Sequence, residues 1–202
     1  MGVDSTVGPR TPASASEGSG HDRLIDCALE AFAAYGFEGA TVRSIASSAD
    51  VDPTLINYHF GSKLGLWRAV VDRIANQVEA LVERFSQMGE SSKMIDALVD
   101  EVCDNPNLAF FLIKEVSYRT DRFSYFFIAL IAPLRDQMAP IIRQEINPDS
   151  PDNEKAELIH FLLMGAMVMA IVTRSFRSDS GEMNIDQRFK TDLQTLLRRL
   201  IA

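Results

Sequence analysis

The strongest constraint on this chain lies between Thr41 and Lys63, where two short helical patterns meet across a tight turn. Thr41 is a helix-start residue, and Val42, Ile45, Ala46 and Ala49 follow at helical spacing. Asp50 interrupts the run, and an aspartate tolerates the left-handed turn conformation that glycine takes more easily. Asp52 is placed to cap a second helix with Pro53 at its first position, where a missing N–H costs nothing. Ile56 and Phe60, four apart, pin that helix to a core and leave Thr54, Leu55, Asn57, Tyr58 and His59 around its outer side. A short helix with one buried edge and an outward row of small, polar and aromatic groups is what a helix-turn-helix offers to a DNA major groove.

Around this stretch the chain reads as helix throughout. Residues 1–20 are rich in Gly, Ser, Pro, Thr and Ala without an apolar period and read as a disordered arm, in which Arg10 is thin support for a DNA contact. A first helix is expected from about His21 to Tyr35 on Leu24, Ile25, Ala28, Leu29 and Phe32, with Gly36 stopping it. A long helix then runs from Ser62 to about Met88, and further helices are expected near 92–104, 106–119, 122–146, 152–177 and 185–201. Pro133 and Pro140 fall inside the third of these and either kink it or split it in two. No strand-like alternation of useful length and no repeat occurs, so the expected fold class is all-α.

Composition narrows the classes of function. Apolar content of 47% and charged content of 24% over 202 residues describe a globular chain with a sizeable core. The longest apolar stretch, Phe161 to Thr173, falls short of the roughly 18 residues of a membrane span, and no apolar signal segment opens the chain. The reading is therefore a cytoplasmic protein without membrane association. Cys27 and Cys103 cannot build a disulfide framework and read as reduced core residues, with redox sensing as the alternative. His21, His59 and His160 have no Cys or carboxylate at metal-ligand spacing, and neither a phosphate loop nor a nucleophile elbow occurs. No enzyme, cofactor or metal is expected. The net charge of −8 is unusual for a nucleic-acid binder. Residues 21–65 hold three positive side chains, Arg23, Arg43 and Lys63, against six carboxylates, a net of −3. DNA binding would rest on a few placed cations, backbone amides and helix N-termini, with weak non-specific affinity.

The run from Leu24 to Leu66 resembles the N-terminal domain of TetR-family transcriptional regulators. The matching elements are the helix Arg23 to Tyr35, the Gly36-Phe37-Glu38-Gly39 turn, Thr41 opening the second helix, and Tyr58-His59-Phe60-Gly61-Ser62-Lys63 closing the third. Asp50 departs from the family, which commonly has Gly in the turn, and Asn57 stands where an aromatic is frequent. The resemblance implies three parts: the arm 1–20, a three-helix DNA-binding domain over 21–66, and a helical ligand-binding and dimerisation bundle over 67–202. The implied function is a ligand-responsive repressor bound as a homodimer to a palindromic operator. The alternative is a helical small-molecule sensor or carrier without DNA-binding activity. Arg43 is suited to a guanine edge or a phosphate, Thr54 and Asn57 to base edges, and Leu55 to a thymine methyl. Thr41, Tyr58, His59 and Lys63 are expected at phosphates, with Pro53 beside them at the start of the reading helix. The competing reading has Tyr58 and His59 as plain surface and Leu55 packed locally.

In the C-terminal half, Phe110, Lys114 and Tyr118 are four apart and share a helix face. With Phe126, Phe127, His160, Met164 and Met167 they are the candidates for a cavity holding a small apolar or aromatic effector, with Lys114 or His160 meeting an acidic group. For any one of them, core packing is the competing reading. Leu158, Ile159, Leu162, Leu163, Ala166, Ala170 and Ile171 on one helix and Phe189, Leu193, Leu196, Leu197 and Leu200 on the next lie in the last two helices, which the resemblance implies pair with a second subunit; the competing reading has these faces in the monomer core.

Overall fold

The computed structural model describes residues 14–88, 91–117, 120–146, 153–175 and 185–201. Among them are ten α-helices and no strand: α1 Ser14–Gly39, α2 Val42–Ser48, α3 Thr54–Phe60, α4 Lys63–Met88, α5 Ser91–Asp104, α6 Pro106–Ser117, α7 Asp121–Phe126, α8 Ala132–Ile146, α9 Asn153–Ser175 and α10 Gln187–Arg198. The all-α expectation holds. The first helix starts at Ser14, inside the stretch expected as an arm, while Arg10 and the rest of residues 1–13 lie outside the described residues.

Local chemistry explains the first boundaries. Gly36 at φ 69° breaks the helical path of α1, a conformation that costs an L side chain about 1–2 kcal/mol. Thr41 caps α2: its hydroxyl oxygen accepts from the Ser44 N–H at 3.0 Å, and Ser44 Oγ accepts from the Thr41 N–H at 3.2 Å. The helix ends in a Schellman turn, with the Val51 N–H on the Ala46 carbonyl at 3.0 Å and the Asp50 N–H on the Ser47 carbonyl at 3.2 Å. Asp50 occupies the left-handed position of that turn at φ 53°. Asp52 then accepts from the Thr54 N–H at 2.8 Å and opens α3, as its place before Pro53 predicts.

One continuous core runs through the whole chain. Leu24, Ala28 and Phe32 of α1, Ile45 of α2 and Ile56 of α3 are fully buried, and α4 continues the core with Leu66, Trp67, Val71 and Val82. At about 1.5 Å per residue, α4 spans roughly 39 Å and is the spine shared by both halves. α1 packs on α6 as well as on α4, so the halves meet along a packed joint and not across a linker.

The expected helix at 122–146 is widened rather than broken. Residues Phe127–Ile131 form a π-helical turn between α7 and α8, with the Ala132 N–H on the Phe127 carbonyl. Pro133 has no N–H for the Ala129 carbonyl, and its ring crowds that oxygen; the wider turn accommodates both. Pro140 sits inside α8 without ending it. By length and composition alone, Asp121–Glu145 and Glu154–Arg174 are long and apolar enough to cross a membrane. In the fold they are the α7–α8 segment and α9, which pack on each other through α8.

Candidate nucleic-acid interface and apolar cavity

The outer face of α2 and α3 is assembled by the turn just described. Ile56 is fully buried, while Thr54, Asn57 and Tyr58 are exposed on α3 and Arg43, Ser44 and Ser47 are exposed on α2. Arg43 has no ion pair among the described residues and shares a shallow groove with Ser47, Asp50, Asp52 and Pro53. Thr54 donates its hydroxyl to Asp52 Oδ1 at 2.6 Å, so its oxygen is left as an acceptor. Those two bonds hold the Asp52 carboxyl below its usual range, and its charge faces any approaching phosphate. Tyr58 is 76% exposed, a large aromatic ring held out in solvent. Leu55 is half-buried against the core. His59 is half-buried too, its ring 5.7 Å from that of His21 on α1, and Phe60 stacks on His21 at 4.8 Å.

Lys63 has a different task from the one expected. Its ammonium donates to the Phe37 carbonyl at 2.8 Å and the Ala40 carbonyl at 3.0 Å and lies 4.4 Å from the Phe37 ring centroid. It ties the start of α4 to the turn before α2, because those carbonyls end a helix without backbone partners. Lys63→Ala is therefore expected to lower stability by about 2 kcal/mol, a drop of roughly 4–8 °C in thermal midpoint. A lysine serving phosphate alone would leave the midpoint unchanged.

The joint between the halves is polar at its centre. Trp67 is fully buried and donates its indole N–H to Glu115 Oε1 at 3.2 Å. Burial pushes the Glu115 carboxyl above its usual value, against the Trp67 bond and the Arg122 charge. Arg122 stacks 3.9 Å from the Phe37 ring centroid and reaches Glu38 at 3.2 Å, so α7 grips the turn that Lys63 also grips. Lys114 donates to the Ala34 carbonyl at 2.7 Å, and Arg73 pairs with Asp26.

Beyond the joint a cavity of about 260 Å³ lies among α4, α5, α6, the α7–α8 segment and α9. Phe126, His160, Met164 and Met167 line it. Phe110, Lys114 and Phe127 do not: the face carrying Phe110 and Lys114 turns toward α1, and Phe127 packs on Phe123. Tyr118 lies outside the described residues. The α6 wall consists instead of Leu108, Leu112, Ile113 and Val116. Their spacing is helical, but α6 is apolar on both faces, so periodicity alone does not select one.

The two residues expected to meet an acidic group are placed differently. Lys114 is engaged at α1, and His160, 1% exposed, is held neutral: burial and the Arg135 charge push its pKa down to about 4. Its Nδ1 makes no hydrogen bond among the described residues. Glu101 is the other ionisable side chain on the wall among the described residues, and no Lys or Arg of those residues lines it. Burial raises both thiols, Cys103 to about 11, so neither is a ready thiolate. No cluster of His, Cys, Asp or Glu able to hold a metal occurs among the described residues.

A helix-turn-helix joined to a helical bundle through a long shared helix is an architecture this chain shares with solved transcriptional regulators. Residues 24–70 match the profile of bacterial regulatory proteins of the tetR family, so the chain carries a DNA-binding domain of that type. It is 40% identical over 60 residues to the HTH-type transcriptional regulatory protein RaaS of Mycobacterium tuberculosis, which covers 30% of this chain and 28% of that one. It is 26% identical over 189 residues to the transcriptional dual regulator CecR of Shigella flexneri, covering 85% and 84%. The fold matches the regulator FadR of Bacillus subtilis, solved with stearoyl-CoA, at TM-score 0.64 and 16% identity over 88% of this chain and 97% of that one. The match to the first three curated relatives spans between 28% and 50% of their lengths.

Proposed function

We propose that this protein is a cytoplasmic repressor that binds a palindromic operator as a homodimer and releases it on binding a small apolar effector. The observation that carries the reading is the α2–α3 face, where a Schellman turn and a capped α3 hold Thr54, Asn57 and Tyr58 outward over the buried Ile56. Asn57 reads bases, adenine being the natural partner of an amide, and Arg43, Thr41 and Tyr58 set the register on phosphates.

Dimerisation is supported by the last two helices. Leu163, Leu193 and Leu197 are buried in the monomer, while Leu158, Leu162 and Met169 of α9 and Leu196 and Leu200 near the chain's end are exposed. Only 39% of the apolar window of α9 is buried within one chain, leaving a stripe for a second copy to cover. Such a dimer sets two α3 helices about one DNA turn apart. The effector acts by binding two states unequally, the cavity sharing α4 and α6 with the joint that holds the reading domain.

The test is Asn57→Ala on a selected operator. The variant is expected to discriminate roughly tenfold less between the operator and a copy mutated at one base pair, with its thermal midpoint unchanged, since one bidentate base contact contributes about 1–3 kcal/mol of discrimination. Unaltered discrimination would remove Asn57 from the reading surface.

A further inference from the structure

The cavity wall describes the molecule it takes. We propose that the effector is a compact, uncharged aromatic alcohol whose single hydroxyl bonds to His160, and that the cavity rejects anions; this rests on the cavity being the effector site. Volume sets the size. An apolar cavity of about 150 Å³ takes benzene, so about 260 Å³ holds a molecule of roughly ten non-hydrogen atoms, the size of two fused rings.

Charge sets the class. A carboxylate or phosphate inside this wall would lose its water and meet no lining cation among the described residues; the Arg135 charge that reaches His160 is already paired with Asp136, Glu101 would repel the anion, and the buried imidazole is neutral. The acyl-CoA chemistry seen with FadR therefore does not carry over to this interior. The buried His160 lines this wall and its Nδ1 has no partner among the described residues, which native interiors rarely leave so; that nitrogen is closed off as the ring stands, so a hydroxyl bonds it with a turn of the imidazole. A hydroxyl both donates and accepts, so it suits either neutral tautomer of the ring. Around it stand Phe126, Phe161, Met164 and Met167, and thioether sulfurs pack favourably on aromatic edges. Val116 and Phe161, 49% and 45% exposed, mark the mouth.

The experiment is calorimetric titration of the full chain, without DNA, with 2-naphthol, 2-methoxynaphthalene and 2-naphthoate. These share one ring system and differ in donor and charge. The expected result is 2-naphthol binding at least tenfold more tightly than 2-naphthoate and more tightly than the methyl ether. His160→Phe is expected to erase the preference for the hydroxyl over the ether while retaining ether binding. Val116→Trp, at a half-exposed site that tolerates bulk, is expected to weaken all three and so places them in this cavity even if His160→Phe does not fold. Naphthoate binding as tightly as naphthol, or all three ligands binding Val116→Trp as they bind the native chain, overturns the proposal. The two readings fail separately. Ligand preference as stated with operator affinity unaffected removes the effector role and leaves the cavity chemistry standing. Operator release by the anion alone removes this inference and leaves the regulator standing.

Discussion

Replacing Gly65 with alanine is expected to destabilise the protein by at least about 3 kcal/mol and to abolish operator binding, because the first turn of α4 touches the last turn of α3 there. A Cβ on Gly65 would stand 1.8 Å from the Phe60 carbonyl oxygen and 3.0 Å from its carbon. Both are backbone atoms, so no rotamer relieves the clash. The turn between them is fixed from both sides: the Gly61 N–H bonds the Asn57 carbonyl at 3.0 Å, and Ser62 Oγ accepts the Gly65 N–H at 3.0 Å. Overpacking a core with flexible neighbours costs about 1–3 kcal/mol, and a rigid backbone neighbour raises that figure. Thermal unfolding followed by the fluorescence of the single tryptophan, Trp67, reads the loss directly. A midpoint within a degree or two of the native one would mean that α3 and α4 approach less closely than described.

Glu115 gives the second large effect, and its sign depends on the substitution. Glu115→Ala leaves the buried Trp67 indole without its acceptor and Arg122 without a carboxylate beside its buried Nε, a loss of about 3 kcal/mol. Glu115→Gln keeps an oxygen for Trp67 and removes a buried charge. Because burial raises the folded-state pKa, the folded protein holds this proton more tightly than the unfolded chain. The native chain therefore loses stability as pH rises from the ordinary value of 4.5 through the raised one, whereas the glutamine variant does not. The difference between the two is expected to favour Glu115→Gln progressively across that window and to stay constant above it. Denaturant unfolding of both chains at pH 4 to 8 checks this. A glutamine variant losing as much as the alanine one at neutral pH would show that the ionised carboxylate is what holds the joint.

Much of the reading module was legible because its signals are local. Asp50, Asp52 and Thr41 act within five residues of themselves, through bonds their side chains or φ angles make at once. Gly65 and Lys63 were not, although they lie in the same stretch. A close approach between two backbones leaves no compositional trace, and the carbonyls that Lys63 serves at Phe37 and Ala40 belong to any residue type. The cavity was half legible for a related reason. On α9, His160, Met164 and Met167 flank a buried arc, whereas α6 is apolar on both sides, and only its packing on α1 decides which side faces inward. The tertiary role of Lys114, expected at an effector, was settled by a carbonyl 80 positions away at Ala34. A proline inside a helical pattern signals a kink or a split; a π turn, which keeps the helix continuous, is the third way to accommodate Pro133.

The acidic character of the reading domain makes the central claim open to direct contradiction. Binding of the full chain to a pool of genomic fragments at two salt concentrations, with the retained DNA sequenced, is the measurement that bears on it most directly. The expected result at low salt is enrichment of a palindrome whose half-sites lie about one helical turn apart, over a low background of other sequences, since Arg43 is the one cation among the described residues 21–65 that is both exposed and on the α2–α3 face. Raising the salt should remove that enrichment, because the few phosphate contacts still release counterions. Retention of no sequence at the lower salt would contradict the account and leave the apolar cavity as the seat of function.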